Sequence, residues 1–158
     1  MIKTQAGPTT RVATSPRLRG LTAVILVLLA AQFLLGMAVN LFVTIPSNHP
    51  GANPPEYFSG VVQSVKWAIT FPSSPLWLFL HALLGLVLVV LTLALLIAAI
   101  VARKRNWIIV AVLGFLFTLG AGFNGGSFLN YNEDFSSMLM SVGFILAMLI
   151  YSLGLLVG

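Results

Sequence analysis

The chain predicts an all-α fold, an integral membrane four-helix up-down bundle. Three observations carry this reading: 59% of its 158 residues are hydrophobic, only 7% are charged, and the apolar residues gather in four long runs. A soluble domain of this length carries far more surface charge. The chain contains no cysteine, which excludes disulfides, thiolate metal sites and thiol redox chemistry. The formal charge of +5 comes from basic residues beside apolar runs, the pattern by which membrane proteins fix their orientation. It therefore speaks for topology and against a nucleic-acid partner.

A helix needs roughly 20 apolar residues to cross the hydrocarbon core. Four segments qualify: Leu21–Ile45, Leu76–Ala102, Trp107–Asn124 and Phe135–Val157. They divide a single membrane domain, residues 1–158, into a basic tail (1–20), a first outer loop (46–75), an inner turn (103–106) and an outer connection (125–134). The first run is too long for the apolar part of a signal peptide and no A-x-A-like site follows it, so it reads as a retained span.

Charge sets the orientation. Lys3, Arg11, Arg17 and Arg19 precede the first span, and Arg103, Lys104 and Arg105 fill the turn between the second and third; only Lys66 lies on the opposite side. The positive-inside rule then makes both termini cytoplasmic, in a multi-pass protein of the plasma (inner) membrane. Glu56, Glu133, Asp134 and His49 fall on the outer side, and His81 lies just inside the membrane boundary.

The first outer loop opens with PSNHPGANPP, whose prolines and glycine disfavour regular structure. From Glu56 to Thr70, Phe58, Val61, Val62, Val65, Ala68 and Ile69 recur at helical spacing opposite Ser59, Gln63, Ser64 and Lys66. This predicts a short amphipathic helix over about 56–70, either a lid on the bundle or a membrane- or partner-contacting element. A repeat, L-G-x-x-x-N, occurs at Leu35–Asn40 and Leu119–Asn124. Its glycines allow close helix approach, and its asparagines can bond across helices or cap a helix end.

Gln32 in the first span must face other helices or water, because an unpaired amide in lipid costs several kcal/mol. His81 is an intramembrane ionisable residue, with structural bonding, a proton relay, a metal ligand and a haem ligand all open to it. His49, Glu56, His81, Glu133 and Asp134 share one side of the membrane but have no metal-binding spacing, so the identity of any metal stays unknown. Gly125 and Gly126 are expected to end the third span, and Asn132 or Asp134 to cap the fourth helix. Phe123, Phe128, Leu129, Tyr131 and Phe135 make this connection too apolar for a wet turn. It is expected to dip between the helix ends and bring Glu133 and Asp134 to His81.

Two resemblances rest on these residues. Gly125–Met138 follows the pattern G-x-SFL-x(3)-EDFSSM and resembles a group of bacterial four-helix membrane proteins of unknown function. QFLLGM at Gln32–Met37 and LHALLG at Leu80–Gly85 are similar to half of a heme A synthase or another cytochrome b-like four-helix bundle. Haem ligated by His81 would need a second axial ligand, for which the sequence offers His49, Met37 or Met138, and the second resemblance likewise implies haem as a cofactor. The family carries paired helix histidines, whereas His81 is the one histidine inside a span here.

The sequence thus points to a small non-enzymatic membrane protein, a subunit or binding module. Its outer polar pocket is expected to be formed by Asn40, His81, Asn124, Tyr131, Glu133 and Asp134. Its expected partners are the lipid bilayer and a second copy or a larger membrane complex. The alternative is a haem-binding or redox protein, and an oligomeric transporter fits less well, since four helices leave little room for alternating access.

Overall fold

The computed structural model describes residues 15–157; Lys3 and Arg11 of the basic tail lie outside the described residues. Among these, five helices and no strand are present: α1 (Pro16–Phe42), α2 (Tyr57–Ala68), α3 (Leu76–Val101), α4 (Arg105–Tyr131) and α5 (Asp134–Val157). The four long helices α1, α3, α4 and α5 are long and apolar enough to cross a membrane.

Local chemistry sets the helix ends. Pro16 opens α1, where its fixed φ suits the first turn and its missing N–H is not needed. Glu56 caps α2 with both carboxylate oxygens, accepting from the backbone N–H of Phe58 at 2.9 Å and of Ser59 at 2.5 Å. Asn132 closes α4 in the left-handed conformation, φ 53°, and its N–H donates to the Phe128 carbonyl at 2.7 Å. Asp134 stands in the first turn of α5, at the positive end of the helix dipole.

Two expected boundaries are corrected. The helix α1 starts at Pro16, takes in Arg17 and Arg19, and stops at Phe42 rather than Ile45. The helix α4 runs through Gly125 and Gly126 to Tyr131, so residues 125–131 are helical and only Asn132 and Glu133 connect α4 to α5. Each glycine costs helix about 1 kcal/mol relative to alanine, but here both face close neighbours. A Cβ on Gly126 would stand 2.8 Å from Val61 Cγ1, and one on Gly125 would stand 3.3 Å from Met140 Sδ.

The same device runs along the α4–α5 interface. Gly114 lies against the ring of Tyr151, Gly154 against Val110, and Gly143 against the Phe117 carbonyl and Ala121. Together with Gly125 against Met140, these contacts descend in one helix as they ascend in the other, so α4 and α5 pack antiparallel along their length. In lipid, where apolar side chains gain little by leaving the solvent, such close backbone approach is a main source of helix association. Leu18, Ile25 and Leu29 of α1, Leu88 and Leu95 of α3, and Trp107 of α4 complete the buried core around Ala147 and Tyr151.

A second buried cluster lies at one end of the bundle, where Trp67 and Ala68 of α2 meet Leu78 of α3 and Leu129 of α4. Val39, Val43 and Ile45, around the end of α1, pack against it. We call this the capped end.

Gly114→Ala is expected to lower stability by about 1–3 kcal/mol, because the new methyl overlaps the rigid Tyr151 ring. Gly120→Ala and Gly122→Ala, whose Cβ positions meet nothing within 4 Å, should not destabilise. Thermal unfolding of the three variants in one detergent makes the comparison.

Candidate functional site

At the capped end the loop after α1 is folded onto the last turn of α4 by hydrogen bonds to that helix's terminal carbonyls. The final carbonyls of any helix lack partners within it. In α4, the Phe128 carbonyl accepts from Asn132 N–H, the Leu129 carbonyl accepts from His49 Nε2 at 2.9 Å, and the Asn130 carbonyl accepts from Asn53 N–H at 2.7 Å. His49 is buried, its Nδ1 lies 2.9 Å from the Pro50 carbonyl oxygen, and its ring stacks on Trp67 at 4.4 Å and 12°. Trp67 is fixed in turn by donating its indole N–H to the Ser73 carbonyl at 3.1 Å.

Asn130 ties α4 to α2. Its side chain is 1% exposed, its Oδ1 accepts from Ser64 Oγ at 2.9 Å, and its Nδ2 donates to the Tyr57 carbonyl at 3.2 Å. Small residues make this approach possible: Gly60, Ser64 and Ala68 form one buried stripe on α2, and Gly126 receives Val61 one turn before Asn130. Gly51 adopts φ +92°, and a Cβ there would collide with Ser64 and the Gly60 carbonyl. Only glycine lets the loop lie this close to α2.

The loop, Ile45 and the end of α4 enclose a recess of about 70 Å³, lined among others by Ser47, His49, Asn53, Asn130, Tyr131 and Asn132. A water needs about 10–15 Å³ of such volume. The recess therefore accepts a few waters or a single polar group, and it excludes flat cofactors and metabolites.

Of the six residues expected to form the pocket, the structure places Tyr131 in this recess and the others elsewhere. Asn40 is exposed on α1, and Asn124 bonds back to the Gly120 carbonyl of its own helix at 2.8 Å. Glu133 and Asp134 are exposed at the α4–α5 junction; because α4 stays helical to Tyr131, the connection is too short to dip between the helices. The two copies of L-G-x-x-x-N also differ in use, for Gly36 packs against His81 while Gly120 has no neighbour within 4 Å. Asn130, Ser64 and Trp67 were not singled out as site residues. The signal for Ser64 and Asn130 was the matched spacing of Gly60-x-x-x-Ser64 and Gly126-x-x-x-Asn130, small and polar residues one turn apart on each of two helices.

His81 pairs with Gln32 instead of with the acids. The Gln32 amide Nε2 donates to His81 Nε2 at 3.3 Å, between α1 and α3. Each polar side chain rests on a glycine of the opposite helix: a Cβ on Gly36 would stand 3.1 Å from His81 Cε1, and one on Gly85 would stand 3.3 Å from Gln32 Nε2. Q-x-x-x-G on one helix thus interlocks with H-x-x-x-G on the other. Gln32 Oε1 and His81 Nδ1 are buried without a hydrogen-bond partner among the described residues. These residues do not fit a haem: His81 Nε2 is engaged by Gln32 and the Nδ1 edge of the ring lies against Gly36, while Met37 and Met138 are both on the exposed surface. Among the described residues no group of three or more His, Asp or Glu is placed to hold a metal ion.

Comparison with protein-family models, with curated proteins and with solved structures yields no match for this chain.

Asn130→Ala leaves the Ser64 hydroxyl and the Tyr57 carbonyl without their partner in a buried setting, and should cost about 1–3 kcal/mol. Asn124→Ala removes only an intrahelical bond and should cost less. Hydrogen exchange should locate the Asn130 effect in α2 and residues 46–56. A double-mutant cycle between Gln32→Ala and His81→Ala should give a coupling of about 0.6 kcal/mol, the average for interhelical hydrogen bonds in membranes, and no more than about 1.7 kcal/mol. Strict additivity in detergent unfolding would show that the pair does not form.

Proposed function

We propose that this chain is a small non-enzymatic multi-pass protein of the plasma (inner) membrane, acting as a subunit or binding module through its capped end. In this reading the four spans run up and down, both termini are cytoplasmic and the capped end faces outward. The basic residues support that sidedness: among the described residues, Arg17, Arg19, Arg103, Lys104 and Arg105 gather at the end remote from α2, with Lys66 alone at the other.

The observation that carries the reading is the recess between the loop, Ile45 and the last turn of α4. Its walls are set by bonds between loop and helix, so the cavity is preformed. Asn53 and Asn132 stand exposed at its rim and offer both donors and acceptors. A volume for one polar group suits the tip of a side chain or a backbone amide offered by a partner segment, and is too small for a substrate and its reaction.

A photo-crosslinking residue at Ser47, on the exposed rim, should give one protein adduct of defined mass in native membranes, either with a second copy or with another subunit. The water-facing control at Ser59 should not give it. Identical adducts at both positions, or none at Ser47, would remove the capped end as the binding surface.

A further inference from the structure

The helix α2 has three faces rather than two. At about 100° per residue, Gly60, Ser64, Trp67 and Ala68 form the sector buried against the bundle. Next around the helix come Phe58 and Val62, one turn apart and 63% and 66% exposed. Beyond them lie Ser59, Gln63 and Lys66, all exposed, with Gln63 Nε2 donating to Ser59 Oγ at 2.9 Å. A helix lying over the bundle in water needs only an apolar face and a polar face. An exposed apolar sector between a buried one and a polar one belongs to a helix that touches protein, lipid and water in turn.

The depth of α2 agrees with this. The helix α4 has 27 residues, a length of about 40 Å, against a hydrocarbon core of about 30 Å. Val61 packs on Gly126, five residues before the end of α4, about 7 Å below that end. That depth is within the roughly 10 Å by which α4 exceeds the core, so α2 meets α4 close to the boundary between acyl chains and headgroups. After α2, Phe71, Leu76 and Trp77 are also apolar and exposed, at 56%, 50% and 43%, the last two in the first turn of α3. Tryptophan at such a position is typical of the membrane–water boundary.

We propose that α2 is an interfacial anchor, with Phe58 and Val62 inserted into the acyl boundary of the adjoining leaflet and Lys66 paired with a lipid phosphate. The occupant of this face is lipid, because the apolar sector lies next to Val61, which packs on Gly126 of the long apolar helix α4, and the neighbouring cation complements the phosphate layer. Insertion of this kind ties the cap to the bilayer as well as to α4, and holds the rim of the recess at the level of the headgroups. The inference uses the membrane character of the four long helices and is independent of what the recess binds.

The chain has no cysteine, so single cysteines at positions 58, 62, 59 and 63 can each carry a spin label in the full-length protein. The labelled protein is placed in liposomes of phosphatidylethanolamine and phosphatidylglycerol, after each variant is shown to unfold at the unlabelled temperature. Power saturation should give an oxygen-to-nickel accessibility ratio severalfold higher at 58 and 62 than at 59 and 63. Equal ratios at all four positions would place the Phe58–Val62 face in water. Protection from both reagents at 58 and 62 would place it under protein. Either result overturns the proposal. Should a labelled variant unfold early, Phe58→Trp gives the second measurement: quenching by brominated lipid well above that of the unsubstituted protein is expected, and no increase overturns the proposal.

Discussion

The structure depends on side chains of one helix resting on glycines of another. In hydrocarbon, leucine gains little by leaving lipid for protein, so helices associate where their backbones can approach and where polar groups can meet. Each of three interfaces has such a contact: Tyr151 on Gly114 between α4 and α5, His81 on Gly36 between α1 and α3, and Val61 on Gly126 between α2 and α4. Helices α3 and α4 also contribute large residues, among them Leu95 and Trp107, to one buried core. Glycines that weaken isolated helices thus become the places at which this bundle is held together.

The capped end follows from a second constraint, that terminal helix carbonyls must find donors. Where α4 ends, the loop supplies them through His49 and Asn53, and Asn130 spreads the network to α2 through Ser64 and Tyr57. Because His49, Ser64 and Asn130 are buried, losing one partner strands another, which makes the network cooperative. The recess is a by-product of this folding of loop onto helix end. Its walls are therefore part of the structural network, while Ser47, Asn53 and Asn132 on its rim are exposed.

The four long apolar helices and the short helix between the first two were legible to within a few residues at most ends, because hydrophobic run length is a local property; the faces of the short helix were not, for Ser64 of its expected polar side is buried and Phe58 and Val62 of its expected apolar side are exposed. The end of α4 was not. Gly125-Gly126 reads as a helix stop in isolation, and only the presence of Val61 and Met140 opposite makes it a packing surface. The expected pocket failed for the same reason. Glu133 and Asp134 were placed near His81 on the assumption of a long connection, and when seven of its residues became helix the acids were left at the surface. Gln32 was recognised as needing a polar partner, but that partner, His81, lies 49 positions away.

By itself, the sequence determined four helices long and apolar enough to cross a membrane and a short helix between the first two, since composition and periodicity need no partner to be read. The tertiary structure alone decided what the polar residues do. Gln32 bonds His81, His49 caps α4, Asn130 instead of Asn124 ties α4 to α2, and the acids stay at the surface. The physical reason is that a polar side chain in a membrane bundle is placed by whichever donor or acceptor lies within about 3 Å, and that neighbour comes from a distant part of the chain.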